Sequence, residues 1–391
     1  MRPACVLYLE DMVMSAIKSS FCPLALVACA LVLISTAGLA GDRSLDIPSA
    51  GWGISIGNSR AFTGLRLNYR DCGVDYVNGV NITLWQPCKA NQEARISGLS
   101  LGMIPGGGQL SGIQLGFLGI AADHRLAGIS LAFLGVGAGD DVKGITLGGL
   151  GVGAGGRLSG LQIGGLGVGS GDGLYGITLA GLGGGSGGNV AGFSFAGLGF
   201  GAGGDLRGVT LAGFGAGAGD DLAGIQAAGF GVGAGGKLTG LSLAGFGVGA
   251  GGDITGVSVA GFGVGTGGSI RGITVGGLAV GAGQEICGIT LAGIAAGSPT
   301  LRGLTIAGLA IVGKELKGVQ LAVGTVGITE EGRMSLFSAS AFNYFKGTQS
   351  GLSIGLVNFA WRLRGLQLGI INIVKENPRY LRVLPFFNAG F

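Results

Sequence analysis

Residues 238–253 read LTGLSLAGFGVGAGGD, and this sixteen-residue phrase returns along most of the chain. Aligned on Leu-x-Gly, copies begin at Leu110, Leu126, Val142, Leu158, Leu174, Val190, Leu206, Leu222, Leu238, Ile254, Ile270 and Ile286, always 16 residues apart. Copies of 15 residues begin at Leu301 and Leu316. The consensus is L-x-G-[IV]-x-L-[AG]-G-[LF]-G-V-G-A-G-[GD]-x. Half-copies extend it both ways: FTGLRLNY, VNGVNITLW and ISGLSLGM before the array, SGLSIGLVNF and RGLQLGIINI after it. A short fixed period of this kind marks a stacked-repeat architecture.

Within a copy, apolar positions 4 and 6 alternate with Thr, Ser or Gln at position 5, and apolar positions 9 and 11 alternate with glycine at 8, 10 and 12. Successive side chains of a strand point to opposite faces, so the two apolar pairs share a face only if the chain bends between them. The small residues at positions 7 and 8, Ala244 and Gly245 in this copy, supply the bend. Each copy then gives two short strands, with positions 14–16 as the second turn. That is one coil of an all-β, parallel β-solenoid whose like residues stack about 4.8 Å apart. On this reading Leu243 faces the interior and Ser242 faces out. Charges fall at position 2 (Lys143, Arg207, Arg271) and position 16 (Arg157, Asp205, Asp221, Lys237, Asp253), leaving positions 3–13 uncharged as a packed core requires.

The competing architecture is an antiparallel transmembrane β-barrel acting as a pore or anchor. An uncharged run of about 11 residues is long enough to cross a bilayer as a strand. The terminal Phe391, in RVLPFFNAGF, is of the kind that ends outer-membrane barrels. Against it, Tyr175 is the sole Tyr or Trp over residues 110–315, too few aromatics for interfacial girdles.

Composition agrees with a repeat array. Of 391 residues 91 are glycine, 47% are hydrophobic and 11% charged. Disordered glycine-rich chains lack bulky apolar residues, whereas Leu, Ile, Val and Phe recur here at fixed places. A net charge of +4 is too small to point to nucleic acid, and none is expected as a partner. The excess is local: from Arg302 onward there are ten basic and four acidic residues, a balance that reads first as ordinary solubility, with an anionic lipid surface as the alternative.

Residues 21–40, FCPLALVACALVLISTAGLA, are apolar and uncharged, follow Lys18 and end in Gly38-Leu39-Ala40. This reads as a signal peptide over 1–40, cleaved after Ala40. Leu26-Val27-Ala28-Cys29 also has the form of a lipobox, with Cys29 as the residue that would carry lipid. Of the cysteines beyond the leader, Cys72 and Cys88 flank the alternating segment VDYVNGVNITLWQP and make a candidate disulfide in an exported chain. Cys287, at a variable repeat position, reads as a free thiol. The organisation expected is a leader (1–40), an N-terminal cap with degenerate repeats (41–109), the array (110–333) and a C-terminal cap (334–391). That last segment is basic and rich in aromatics, which are expected to pack over the final coil.

GLSIGLVNFAWRLRGLQLGIINI and RVLPFFNAGF resemble the closing part of bacterial "surface repeat" proteins, an envelope family with G-[LV]-Q-[LI]-G-[LI]-[IL]-N repeats. The likeness spans the repeat region and is most specific over 349–391. It implies export and surface placement, and it supplies no reaction. This chain departs from the pattern by carrying glycine where relatives have bulkier apolar residues.

No motif carries chemistry. GVGAGGK (231–237) approaches a phosphate loop, but Leu238 stands where Ser or Thr should hold magnesium. Asp140-Asp141 and Asp220-Asp221 lie on turns and are not matched in neighbouring copies, as a calcium-binding solenoid would require. His124, the only histidine, stands beside Asp123 with no nucleophile placed for it, and too few ligands are spaced for zinc. Asn81-Ile82-Thr83 is a glycosylation sequon, and Asn343, Asn358 and Asn372 recur as candidates for a stacked ladder. Catalytic, cofactor-binding and metal residues are therefore expected to be absent. The expected function is that of a non-catalytic structural or interaction protein of the bacterial cell envelope, whose partners are envelope components or outer-membrane lipid.

Overall fold

The computed structural model describes residues 44–49 and 51–390. The leader, Cys29 and Phe391 lie outside the described residues. Apart from two short 3-10 turns, at Lys89–Asn91 and Arg379–Leu381, the elements are strands. The chain divides into two compact units, one ending at Ala132 and the other beginning at Phe133.

In the first unit, strands Trp52–Gly57, Ala61–Asn68, Tyr76–Thr83, Arg95–Gly102, Gly106–Gly116 and Gly119–Ala132 pair in parallel, each with the next. The glycine of each Leu-x-Gly phrase stands in register with the next: Gly64 on Gly79, Gly79 on Gly98, Gly98 on Gly112. Ser44–Ser49 runs antiparallel along Trp52–Gly57 and covers that edge. In the second unit each coil contributes a long and a short strand, such as Leu238–Ala244 and Gly247–Ala250. Each pairs in parallel with its equivalent one coil on, Ser242 beside Ser258 and Val248 beside Val264. The parallel β-solenoid is therefore the fold, and the antiparallel barrel is excluded.

The turns are tied coil to coil as well: Phe246 N donates to Phe230 O at 2.8 Å and Gly251 N to Ala234 O at 3.0 Å. Within the long strand glycine is required at position 3, where the backbone takes a positive φ. Gly240, at position 3, has φ +116, and a Cβ there would strike the Gly224 carbonyl of the preceding coil.

The interior differs from the expectation. Ser242 is fully buried and Leu243 is 38% exposed, so positions 4 and 6 face out and position 5 faces in. The core of each coil is Leu, Val or Ile at position 1, the polar residue at 5, a small residue at 7 and usually Val at 11, as in Leu238, Ser242, Ala244 and Val248. Space decides this. A Cβ added to Gly164, a position-7 glycine, would lie 2.9 Å from Val168 Cγ2, so the cleft between long and short strands admits only small side chains there. The result is one buried polar side chain per coil, from Thr146 through Gln162, Thr178 and Ser194 onward. Some are costly: Ser242 and Ser258 Oγ and both amide atoms of Gln162 and Gln226 have no hydrogen-bond partner among the described residues.

At the C-terminal end the coils continue through Phe342–Val374, and Val383–Gly390 closes the edge by pairing antiparallel with Gly365–Ile373. The expected aromatic lid is not formed. Phe345 is buried, but Phe386 and Tyr380 are each 78% exposed, and Phe342, Tyr344 and Phe387 also face out. The cover is a strand, whose backbone satisfies the edge without needing side-chain bulk. Beneath it runs the asparagine ladder: Asn343 Nδ2 donates to Asn358 Oδ1, and Asn358 Nδ2 to Asn372 Oδ1, both at 2.8 Å.

Candidate functional site

The outward rows define the surface of the second unit. Odd positions of the long strand turn in, so positions 2, 4 and 6 turn out together. Positions 4 and 6 are apolar in every copy from Val142 to Ala307, and Ile145, Ile177, Ile225, Leu243 and Ile273 are all exposed. Position 9, on the turn, adds a ridge in which Phe214, Phe230, Phe246 and Phe262 stack with centroids 4.8, 4.7 and 4.1 Å apart. Parallel pairing forces like residues into line, so a single repeated choice becomes a continuous stripe. Along positions 6 to 8 runs a shallow apolar groove of about 420 Å³, bordered by position-6 side chains such as Leu211 and Leu243 and floored by small residues such as Ala228 and Gly229. It dips where Ala227 replaces the Leu211 and Leu243 of the adjoining coils.

Position 2 edges the face with cations and no acids: Lys143, Arg207, Arg271, Arg302 and Lys317. Arg207 pairs with Asp205 at 2.7 Å and Arg302 with Glu285 at 2.9 Å. Lys317 hydrogen-bonds Glu315, which with the charge of Lys317 holds that carboxyl below the usual carboxylate range. On the opposite turn, position-16 side chains bond forward along the stack. Asp221 Oδ1 accepts from Lys237 N at 2.7 Å and Asp253 Oδ1 from Ser269 N at 2.9 Å. That gives the acidic turn residues a structural role.

The residues singled out in the sequence do not converge. Cys72 and Cys88 form a disulfide with Cα atoms 5.0 Å apart, and Cys287 is a free, half-buried thiol. Asp123 and His124 are both exposed on the strand Gly119–Ala132. Asp141 Oδ1 accepts from Arg157 N at 3.1 Å, and Asp220 and Asp221 stand on an exposed turn. The GVGAGGK stretch is a short strand and a turn, with no helix to complete a phosphate cradle. Among the described residues no group of three or more His, Cys, Asp or Glu is placed to hold a metal ion. Asn81, the sequon residue, is buried.

One cluster was not anticipated. In the first unit Arg66 is fully buried at position 5, bonded to Asp71, to Asn81 Oδ1 at 2.8 Å and to Asn58 Oδ1 at 2.9 Å. Asp71 also accepts from Asn81 Nδ2 at 3.0 Å and Thr83 Oγ1 at 2.8 Å, next to the disulfide. Only Arg66 Nε is left without a partner among the described residues, and the remaining bonds of this buried pair tie down the loop that carries Cys72. Its signal was available in FTGLRLNY, where Arg66 occupies the position that is polar in every coil.

No family model matches the chain, and no curated protein or solved structure matches it. The fold and the face therefore carry the functional argument. Among the described residues no helix is long and apolar enough to cross a membrane.

Proposed function

We propose that the chain is a non-catalytic structural or interaction protein of the bacterial cell envelope that works through its repeat-built β surface. The observation that carries this reading is the continuous apolar face of the second unit, in which every copy turns two apolar side chains outward at positions 4 and 6. Seven residues of strand over about a dozen coils make a footprint on the order of 1,300 Å², at about 3.3 Å per residue and 4.8 Å per coil, and the apolar rows at positions 4 and 6 cover roughly half of it, about 700 Å². The largest apolar patch on an ordinary soluble monomer is about 300–600 Å². A face of this size is a place of contact. The leader over 1–40 and the likeness of residues 349–391 to surface repeat proteins support placement in the envelope, as does the disulfide, which persists in oxidising compartments. The stripe offers no paired acid and base, so no reaction is assigned to it.

The test is fractionation of the bacterial host combined with the mass of the recovered chain. The proposal expects the chain in the envelope fraction with residues 1–40 removed. Recovery of the full-length chain from the cytosol refutes it.

A further inference from the structure

The apolar face differs from a protein interface in what it lacks. Interfaces carry roughly one hydrogen bond per 100–200 Å² of buried area. Rows 4 and 6 offer no side-chain donor or acceptor over their whole length from Val142 to Ala307. The backbone groups between them are committed to the parallel ladder, coil on coil, as between Leu238–Ala244 and Ile254–Ala260. Hydrocarbon asks for this combination: apolar side chains outward and every backbone polar group paired within the protein.

Charge distinguishes the edges of the face. Along position 2 the charged residues are all Lys or Arg, while the carboxylates stand on the turns at positions 15 and 16 or just ahead of position 1. There they pair with Arg207, Arg302 and Lys317, and among the described residues they leave Lys143 and Arg271 without a carboxylate ion pair. Long basic side chains beside an apolar stripe can lay their stems on the apolar surface and reach headgroups with their charged ends. Monolayer-embedded amphipathic elements pair apolar rows and cations in the same way, and here a sheet supplies them in place of a helix.

We infer that the face built by positions 4, 6 and 9 of the second unit seats on a lipid surface, with the position-2 row at anionic headgroups. This rests on the interaction-protein reading and names its partner. The Phe214–Phe262 ridge and the rows at 4 and 6 enter the acyl region, and the second unit lies flat on the leaflet without crossing it.

The experiment is flotation of the processed chain, purified from a bacterial host, with vesicles of phosphatidylcholine alone and of phosphatidylcholine mixed with phosphatidylglycerol. The chain floats with both, and the anionic vesicles carry a larger, salt-sensitive fraction. The variant Ile225→Ser/Leu243→Ser/Ile273→Ser, altered only at exposed positions, keeps its far-ultraviolet spectrum and partitions at least about tenfold less. Should it misfold, Ile145→Ser/Ile177→Ser, elsewhere on the same row, makes the same test. Lys143→Gln/Arg271→Gln floats normally with phosphatidylcholine and loses the preference for anionic vesicles. Flotation of the serine variants at the wild-type level overturns the inference. So does a chain that sediments as a dimer and floats with neither vesicle, which would assign the face to a second copy. A chain that stays in the envelope fraction of cells yet fails to float refutes the lipid partner and leaves the proposed function standing.

Discussion

Replacing Gly184 by valine should unfold part of the array, and replacing Phe200 by valine in the same molecule should restore it. Position 11 of the coils carries Val168, Gly184, Phe200 and Ala216 in register, where most other coils carry valine. The Phe200 ring fills the space its neighbours leave. A Cβ on Gly184 would lie 2.5 Å from Phe200 Cε2 and 2.7 Å from Cδ2. Gly184→Val alone overpacks a closed interior and costs about 1–3 kcal/mol. Phe200→Val alone removes four carbons from a site 3% exposed, about 3 kcal/mol at about 0.8 kcal/mol per buried carbon. The double variant recreates the consensus Val–Val contact and should lie within about 1 kcal/mol of the parent. The coupling is then about 3–6 kcal/mol in magnitude, at or above the top of the range for residues in contact. Urea unfolding followed by far-ultraviolet dichroism measures the four midpoints. Additive losses in the double variant would refute the packing argument.

Ser242→Asp buries an unpaired charge in the polar column and should lower the unfolding midpoint severely, by several kcal/mol, whereas Leu243→Asp, at an exposed position, should cost under about 1 kcal/mol. Ser242→Ala removes a buried hydroxyl that has no partner and should leave stability unchanged or raised in the same assay. Lys317→Met removes the hydrogen bond and the charge that depress the Glu315 carboxyl, so an NMR titration should show its pKa rise. Because the folded pKa is depressed, the pair's small contribution exists above the ordinary carboxylate range and fades as pH falls through the folded value; the variant should lack that fading. Deleting residues 383–391 uncovers the Gly365–Ile373 edge and should turn a monodisperse chain into oligomers, read by light scattering.

The period of sixteen made the solenoid legible because parallel stacking brings each residue against its own equivalent, and only a repeat supplies equivalents along so much of the chain. The asparagine ladder at Asn343, Asn358 and Asn372 was legible for the same reason. The direction of the side chains was not. Hydrophobicity placed Leu241 and Leu243 inside, yet Leu238 shares the parity of Ser242, and Leu238 is the side chain the core holds. Two apolar sets of opposite parity cannot both be buried on one strand, and cleft width decides between them. Sequence does not state that width; the tight approach of Gly164 to Val168 does. The C-terminal aromatics misled because bulk was taken for cover, when backbone pairing by Val383–Gly390 meets the need. Arg66 escaped notice because a lone charge in a degenerate copy looks like surface until its column is followed.

The orientation of the long strand underlies both the apolar face and the polar column, and thiol reactivity tests it most directly. In a Cys287→Ser background, cysteine is placed singly at Ser242, Leu243 and Ala244, and its reaction with a water-soluble maleimide is timed in the folded chain. Leu243→Cys should react at the rate of an exposed thiol. Ser242→Cys and Ala244→Cys should react at least about a hundredfold more slowly, since reagent reaches them only through local opening. Fast reaction at 242 and 244 with protection at 243 would put the leucines inside and contradict the account.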